Sequence, residues 1–350
     1  VILCGGAGTR LWPVSTEAAP KPFHALLSDK SLFQMTVARI AGHGEDGFLA
    51  PMIVCGRTHR ALVEAQLEAI GVEAALLVLE PCGRGTAPIA AIAAALAAER
   101  WPEAVVLLLS ADHLITDEAE FRRTIRGGAA IADDWIVTLG VAPTRPETGY
   151  GYIRRGARLA DELYAVDRFV EKPDLATAQG FVTDGEHSWN AGVFLFRPEL
   201  LLDELKAARP DIAQAAIAAV PAQTGGGLVE LDEGRFHACP AESIDRAVME
   251  KTTRAAVAIC DFEWADIGAW SEVWRLSRLD AAENALRGDV SVVDTSGSLV
   301  WSDGPRVAAI GVSDLVIVAT RDAVLVVPRA RAQEVRAVAE SAARPGRGAG

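Results

Sequence analysis

Five short apolar runs, Val1 to Leu3, Met52 to Val54, Leu76 to Leu79, Val105 to Leu109 and Ile136 to Val141, alternate with segments of helical periodicity. Runs this short and this rich in Val, Leu and Ile read as strands, and strands separated by helices lie parallel, because a crossover returns the chain in the same direction. The helices are expected near Leu32–Ala41, Thr58–Ile70, Pro88–Arg100 and Glu118–Ala132. PIAAIAAALAA, inside the third, is apolar nearly all round, as suits a helix wedged against a sheet. The fold class is therefore α/β, a Rossmann-like doubly wound and mostly parallel sheet. Such sheets bind ligands beyond the carboxyl ends of their strands. Three loops there carry distinctive sequence: CGGAGTR after the first strand, EPCGRGTAP after Leu79 and SADH after Leu109.

The first loop has a phosphate-handling layout. Gly5, Gly6 and Gly8 let backbone N–H groups approach an anion, and Arg10 and Lys21 add fixed positive charge. The glycines alone are equally compatible with a plain structural turn; the two cations tip the balance. A phosphate-loop NTPase is excluded because no lysine follows a glycine, and a dinucleotide fingerprint is disfavoured because Leu11 stands where its third glycine belongs. Only five of the 34 basic residues are lysines, and Lys21 and Lys172 sit in Pro-Lys-Pro and Glu-Lys-Pro. In an arginine-biased chain such lysines suggest a need for a compact ammonium.

A formal charge of −13 argues against a nucleic-acid surface, so a polyanionic ligand must be small and locally neutralised. The cysteines at 4, 55, 82, 239 and 260 lack metal-knuckle or disulfide spacing, which points to a reducing cytoplasm. No apolar run is long enough for a bilayer, so a soluble protein without membrane partners is expected. From about Tyr150 to Arg197 the rhythm changes to shorter strands (GYGYIRR, VDRFVEKPD, WNAGVFLFRP), read as an inserted lobe closing over the sheet's carboxyl edge. Helical pattern resumes over Pro198 to Ala219, QTGGG reads as a loop, and SIDRAVMEK reads as a helix capped by Ser243. After Leu286, β segments recur about every ten residues, suggesting a small β-rich module or short β-solenoid. The expected domains are 1–283, 284–330, and a terminal helix with a disordered tail over 331–350.

Asp112 follows a strongly apolar strand, where its carboxylate either caps a turn or holds a metal beside phosphates. Asp266, in WADIGAW, is the best second carboxylate, since Mg²⁺ needs only one or two when waters and phosphates complete its octahedron. The Asp-x-Asp motif of nucleotide-sugar glycosyltransferases is absent.

CGGAGTRLWPVS, PKPF, EPCGRGTAP, SADH, PETGYGYI, RFVEKP, WNAGVFLF, SIDRAVMEK and WADIGAW together resemble the mannose-1-phosphate guanylyltransferases, over Val1 to about Val327. The resemblance implies a sugar-nucleotidyltransferase of the short monofunctional type, lacking isomerase activity, that condenses GTP with α-D-mannose 1-phosphate to GDP-mannose and pyrophosphate. A sugar phosphate is largely dianionic at neutral pH, so its attack on the α-phosphorus needs no protein base. Positioning and charge neutralisation carry the catalysis instead.

By that resemblance Arg10 neutralises the β,γ-phosphates, Lys21 steadies the reacting centre, and Asp112 and Asp266 hold Mg²⁺. Leu3, Gly5, Gly6, Gly8 and Thr9 line the nucleotide, while Glu80, Arg84, Gly85 and Thr86 frame the guanine. Gly149, Tyr150, Glu171 and Asn190 serve the sugar hydroxyls, and Lys172 grips the sugar phosphate. His113 and Trp12, Trp189, Trp264 and Trp270 read as packing groups, and Cys4 as a small filler open to alkylation. Two positions depart from the family: Pro22 replaces Gln, stiffening the lysine turn, and Gly85 replaces Asn, which bears on base selection. A homodimer through the C-terminal region is expected. The competing readings are the same chemistry on another hexose 1-phosphate or NTP, and a non-catalytic regulatory subunit that binds sugar nucleotides.

Overall fold

The structure, a computed structural model, describes residues 1–342 except 6, 7, 43, 45 and 46, so the expectations for Gly6 and for the tail lie outside the described residues. The chain forms two compact units: Val1–Gly5 with Thr36–Ala265, and Gly6–Met35 with Asp266–Gly350. Gly8 and Lys21 thus belong to the same unit as the C-terminal β segments, while Gly5 belongs to the first.

The first unit carries strands β1 (Ile2–Leu3), β2 (Met52–Gly56), β3 (Leu76–Glu80), β4 (Val106–Ser110), β5 (Leu114–Ile115), β6 (Ile136–Val141), β7 (Gly151–Ala160), β8 (Leu163–Glu171), β9 (His187–Phe196), β10 (Leu228–Glu230), β11 (Ala255–Cys260) and β12 (Trp264–Ala265). Ten of them form one sheet in the order β10-β3-β2-β1-β4-β9-β6-β11-β8-β7. Neighbours from β10 to β4 run parallel, as the apolar runs imply. One face, carrying Met52, Val54, Leu76, Val78, Val106 and Leu108, packs into a continuous core with the helices Thr86–Arg100, Pro198–Ala208 and Pro210–Ala218. The alternate residues Ile53, Leu77 and Leu109 are buried too, so both faces are covered, as in a doubly wound sheet. The Thr86–Arg100 helix buries Ala87 through Ala94 without a break. Alanine, the best helix former, lets it lie close against its neighbours.

The reading of Tyr150–Arg197 as shorter strands is corrected in the length of those strands. β7, β8 and β9 span ten, nine and ten residues. β9 lies inside the main sheet, antiparallel to β4 and β6, and β7 pairs with its first half, Tyr152 opposite Trp189. The exposed charged stretch of β7 and its irregular register with β8 hide this length from pattern reading. SIDRAVMEK is also not an ordinary helix: Asp245–Met249 is a π turn, although Ser243 Oγ does accept from Arg246 N at 3.4 Å.

In the second unit, β13 (Ala285–Arg287), β15 (Leu299–Asp303) and β17 (Leu315–Thr320) stack in parallel, as do β14 (Val290–Val293) and β16 (Val307–Ile310). β13, β14 and β15 each pair with the strand after next, Val290 with Val307 and Leu299 with Val316, which is a coil of two strands per turn. β18 (Val324–Pro328) closes the stack antiparallel to β17. A 3₁₀ segment, Arg329–Glu334, leads into the helix Val335–Ala342.

Candidate active site

Register brings the first unit's expected residues to one edge. Leu3 lies beside Val54 and Ser110, and Glu80 beside Gly56, so Gly5, Glu80 and Asp112 all emerge at the carboxyl ends of parallel strands. β9 enters from that same edge and pairs Asn190 with Gly140 and Trp189 with Val141. An apolar cavity of about 660 Å³ lies elsewhere, against Val1, Met52 and Val106 at the amino ends of the strands.

Glu80 ends β3, and burial pushes its carboxyl up to about 7. The following loop is clamped by the chain near Glu242. Glu242 N donates to Arg84 O at 3.1 Å, Ala87 N to Glu242 O at 3.1 Å, and Ile244 N to Thr86 Oγ1 at 2.9 Å. Gly85 takes φ 77°, and a Cβ there would stand 2.5 Å from Glu242 O. Arg84 donates to His237 O at 2.5 Å.

Asp112 accepts a hydrogen bond from Ser110 Oγ, and its Oδ1 lies 3.7 Å from His113 Nε2. The His113 ring packs edge-on to Trp264 at 5.2 Å. Tyr150 is enclosed edge-on by Trp189 at 5.3 Å and Trp264 at 5.0 Å, so these tryptophans are walls. Cys4 is buried, and burial, reinforced by Cys55, Asp112 and Glu80, raises its thiol well above the usual range. The expectation of alkylation sensitivity is corrected accordingly.

The sugar-side residues form a network. Asn190 Nδ2 donates to Asp245 Oδ1 at 2.8 Å, while Thr138 Oγ1 donates to Asn190 Oδ1 at 2.7 Å. Lys172, at φ 50°, pairs with the buried Glu171 carboxylate at 2.5 Å and leaves its own side chain half exposed. Gly151, paired with Glu171 across β7 and β8, leaves room for that carboxylate. Gly149 N donates to Glu147 Oε1 at 3.3 Å. Burial and the Glu171 charge push Asp245 up to about 6, against backbone hydrogen bonding, Lys172 and Asn190. Asp174, the last residue of EKPD, caps the Leu175–Asp184 helix through Thr177 N at 2.8 Å. Sequence reasoning missed Asp245 and Gly151; the signal for Asp245 was SIDRAVMEK itself, an acidic residue inside an apolar segment.

In the second unit, Gly8 has φ 55°, and a Cβ there would stand 2.5 Å from Lys21 Cβ. The glycine turn is thus folded against the lysine stem. Pro20 and Pro22 hold Lys21 in a 3₁₀ turn with the side chain buried, and Nζ donates to Asp266 O at 2.6 Å and Oδ1 at 2.8 Å. Thr9 and Arg10 form the next 3₁₀ turn with Leu11, and Arg10 Nη1 donates to Gln333 Oε1 at 2.9 Å. Ile267, beside Asp266, is buried at φ 33°, a strained conformation for a β-branched residue. Trp270 Nε1 donates to the Trp12 backbone O at 2.9 Å, so the Trp270 ring braces the segment that leads from the glycine turn to Lys21.

A family model described as nucleotidyl transferase matches residues 1–283, and one described as a MannoseP isomerase/GMP-like beta-helix domain matches 288–341. The chain is 44% identical to a mannose-1-phosphate guanylyltransferase of Klebsiella pneumoniae over 97% of its own length and 73% of the relative's. The chain belongs to the mannose-1-phosphate guanylyltransferase family. It is also 42% identical to the alginate biosynthesis protein AlgA of Pseudomonas aeruginosa, over 99% of this chain and 72% of that one. A solved structure from Thermus thermophilus, described as a mannose-1-phosphate geranyltransferase, superposes with a TM-score of 0.84 at 34% identity, covering 97% of this chain and 98% of that one. The chain is a nucleotidyltransferase, and its C-terminal module is of the β-helix type found in this family. Among the described residues no helix is long and apolar enough to cross a membrane.

Proposed function

We propose that the chain transfers GMP from GTP to α-D-mannose 1-phosphate, releasing pyrophosphate and GDP-mannose. The observation that carries this reading is the convergence at one sheet edge of the Glu80 loop, Asp112 and the Asn190–Asp245–Glu171 network. Glu80 accepts from the guanine N1 and N2 donors, with Arg84, Gly85 and Thr86 shaping the loop around the base; Leu3, Gly5, Gly6, Gly8 and Thr9 line the nucleotide. Gly149, Tyr150, Glu171 and Asn190, joined by Asp245, bind and orient the mannose hydroxyls. Lys172 grips the sugar phosphate, Arg10 binds the β,γ-phosphates, and Lys21 stabilises charge near the α-phosphorus. The phosphate dianion attacks directly, and no residue removes a proton.

Asp112 and Asp266 are the residues that would hold Mg²⁺. Both offer hard carboxylate oxygens, the donor type this ion takes, and on each Oδ1 is already oriented, by Ser110 Oγ and by Lys21 Nζ respectively. When bound, the ion supplies electrostatic neutralisation of the phosphates. We place the reaction in the cytoplasm, which suits five free thiols. A homodimer would form through the C-terminal module, whose edge strand β18 exposes Val324 and Val326. Pyrophosphate release across a panel of NTPs and sugar 1-phosphates tests the substrate assignment. The highest kcat/KM is expected with GTP and mannose 1-phosphate; a different best pair would overturn it.

A further inference from the structure

The 3₁₀ segment Arg329–Glu334 and the helix that follows it pack on the Thr9–Leu11 turn, although more than three hundred residues of chain lie between them. Their one side-chain hydrogen bond to the turn found among the described residues runs from Arg10 Nη1 to Gln333 Oε1 at 2.9 Å. The guanidinium also lies against Gly268, where an added Cβ would be 3.6–3.7 Å from three of its atoms. Both contacts are with uncharged groups. The acidic residues of the same C-terminal segment are paired elsewhere: Glu334 with Arg331 at 2.5 Å, and Glu340 with Arg336 at 2.8 Å.

That pattern has an electrostatic meaning. A carboxylate holding Arg10 would fix its direction but cancel its charge, whereas an amide oxygen fixes direction and leaves the charge for a polyanion. We propose that Gln333 is a positioning residue through which the C-terminal module presents the Arg10 guanidinium to the triphosphate and to the departing pyrophosphate. This rests on the reading of Arg10 as a triphosphate ligand given above.

The test compares Gln333→Met, Gln333→Glu and Arg10→Ala in the full chain, by steady-state kinetics, calorimetric titration with inorganic pyrophosphate in the presence of Mg²⁺, and thermal melting. Gln333 is exposed, so its variants are expected to fold with an unchanged Tm. Gln333→Met loses the acceptor at similar volume and should raise KM for GTP and weaken pyrophosphate binding by about threefold to tenfold, the range of one solvent-accessible hydrogen bond. Gln333→Glu keeps the acceptor but neutralises Arg10, and should weaken both by at least as much. KM for mannose 1-phosphate should stay within twofold. Wild-type values for both Gln333 variants, beside a strong effect of Arg10→Ala, would overturn the inference alone. An effect spread equally over both substrates would also overturn it, as a merely structural role. If Arg10→Ala leaves GTP and pyrophosphate binding unchanged, the triphosphate reading itself fails.

Discussion

The two units handle charge in opposite ways. In the first, burial raises the proton affinity of carboxylates, Glu80 to about 7 and, with the Glu171 charge beside it, Asp245 to about 6. In the second, the two cations assigned to the phosphates are held by neutral oxygens and a single carboxylate: Lys21 by Asp266, Arg10 by Gln333. The first arrangement suits hydroxyls and a nucleobase, which are recognised by directional hydrogen bonds at modest net charge. The second suits phosphates, which need fixed positive charge. A two-substrate enzyme joining a nucleotide to a sugar phosphate requires both.

If that contrast is right, substitutions in the two units should separate in kinetics. Lys21→Met should have the largest effect, lowering kcat by about 10³-fold, the scale of a lost transition-state charge contact. A KM effect with kcat intact would instead make Lys21 a ground-state ligand. Asp245→Ala should come next, raising KM for mannose 1-phosphate by about tenfold to a hundredfold while leaving KM for GTP within twofold. An equal rise in both would break the division.

A smaller effect should appear with pH. An ionised Glu80 accepts from the base and a protonated one does so poorly, so KM for GTP should fall by up to about an order of magnitude between pH 6 and 8. The Glu80→Gln profile should lack this component, and identical profiles would remove Glu80 from base recognition. The stability sign is opposite: because the folded state raises this pKa, the native state binds the proton more tightly than the unfolded chain. Its contribution to stability is therefore lost as pH climbs from 4.5 towards about 7. Smallest in activity, Gly85→Ala should lower stability by about 2 kcal/mol through backbone strain at φ 77°, read as a drop in Tm. An unchanged Tm would show that the Glu242 clamp can yield.

The parallel half of the sheet was legible because its strands are apolar on both faces and bounded by helices of ordinary periodicity. β9 was not, since an antiparallel strand threaded between β4 and β6 is a matter of topology rather than composition. The ten-residue rhythm of the C-terminal module revealed its strands but not its coil, because each strand bonds to the next but one. Among the candidate site residues, Lys21 is marked in the sequence by its two prolines and Asp112 by its strand. Asp245 was hidden in a π turn and Gln333 in a charged helical tail, where a lone amide carries no pattern. The contacts of both are made across long stretches of chain.

In the proposed reaction a sugar phosphate displaces pyrophosphate directly at the α-phosphorus of GTP, with charge and position supplied by the protein and no protein nucleophile. The most direct measurement is the stereochemical course with a GTP analogue carrying a chiral α-phosphorothioate. Inversion at phosphorus in the GDP-mannose analogue is the result expected of one in-line step. Retention would contradict it, because it requires two displacements through a covalent nucleotidyl-enzyme.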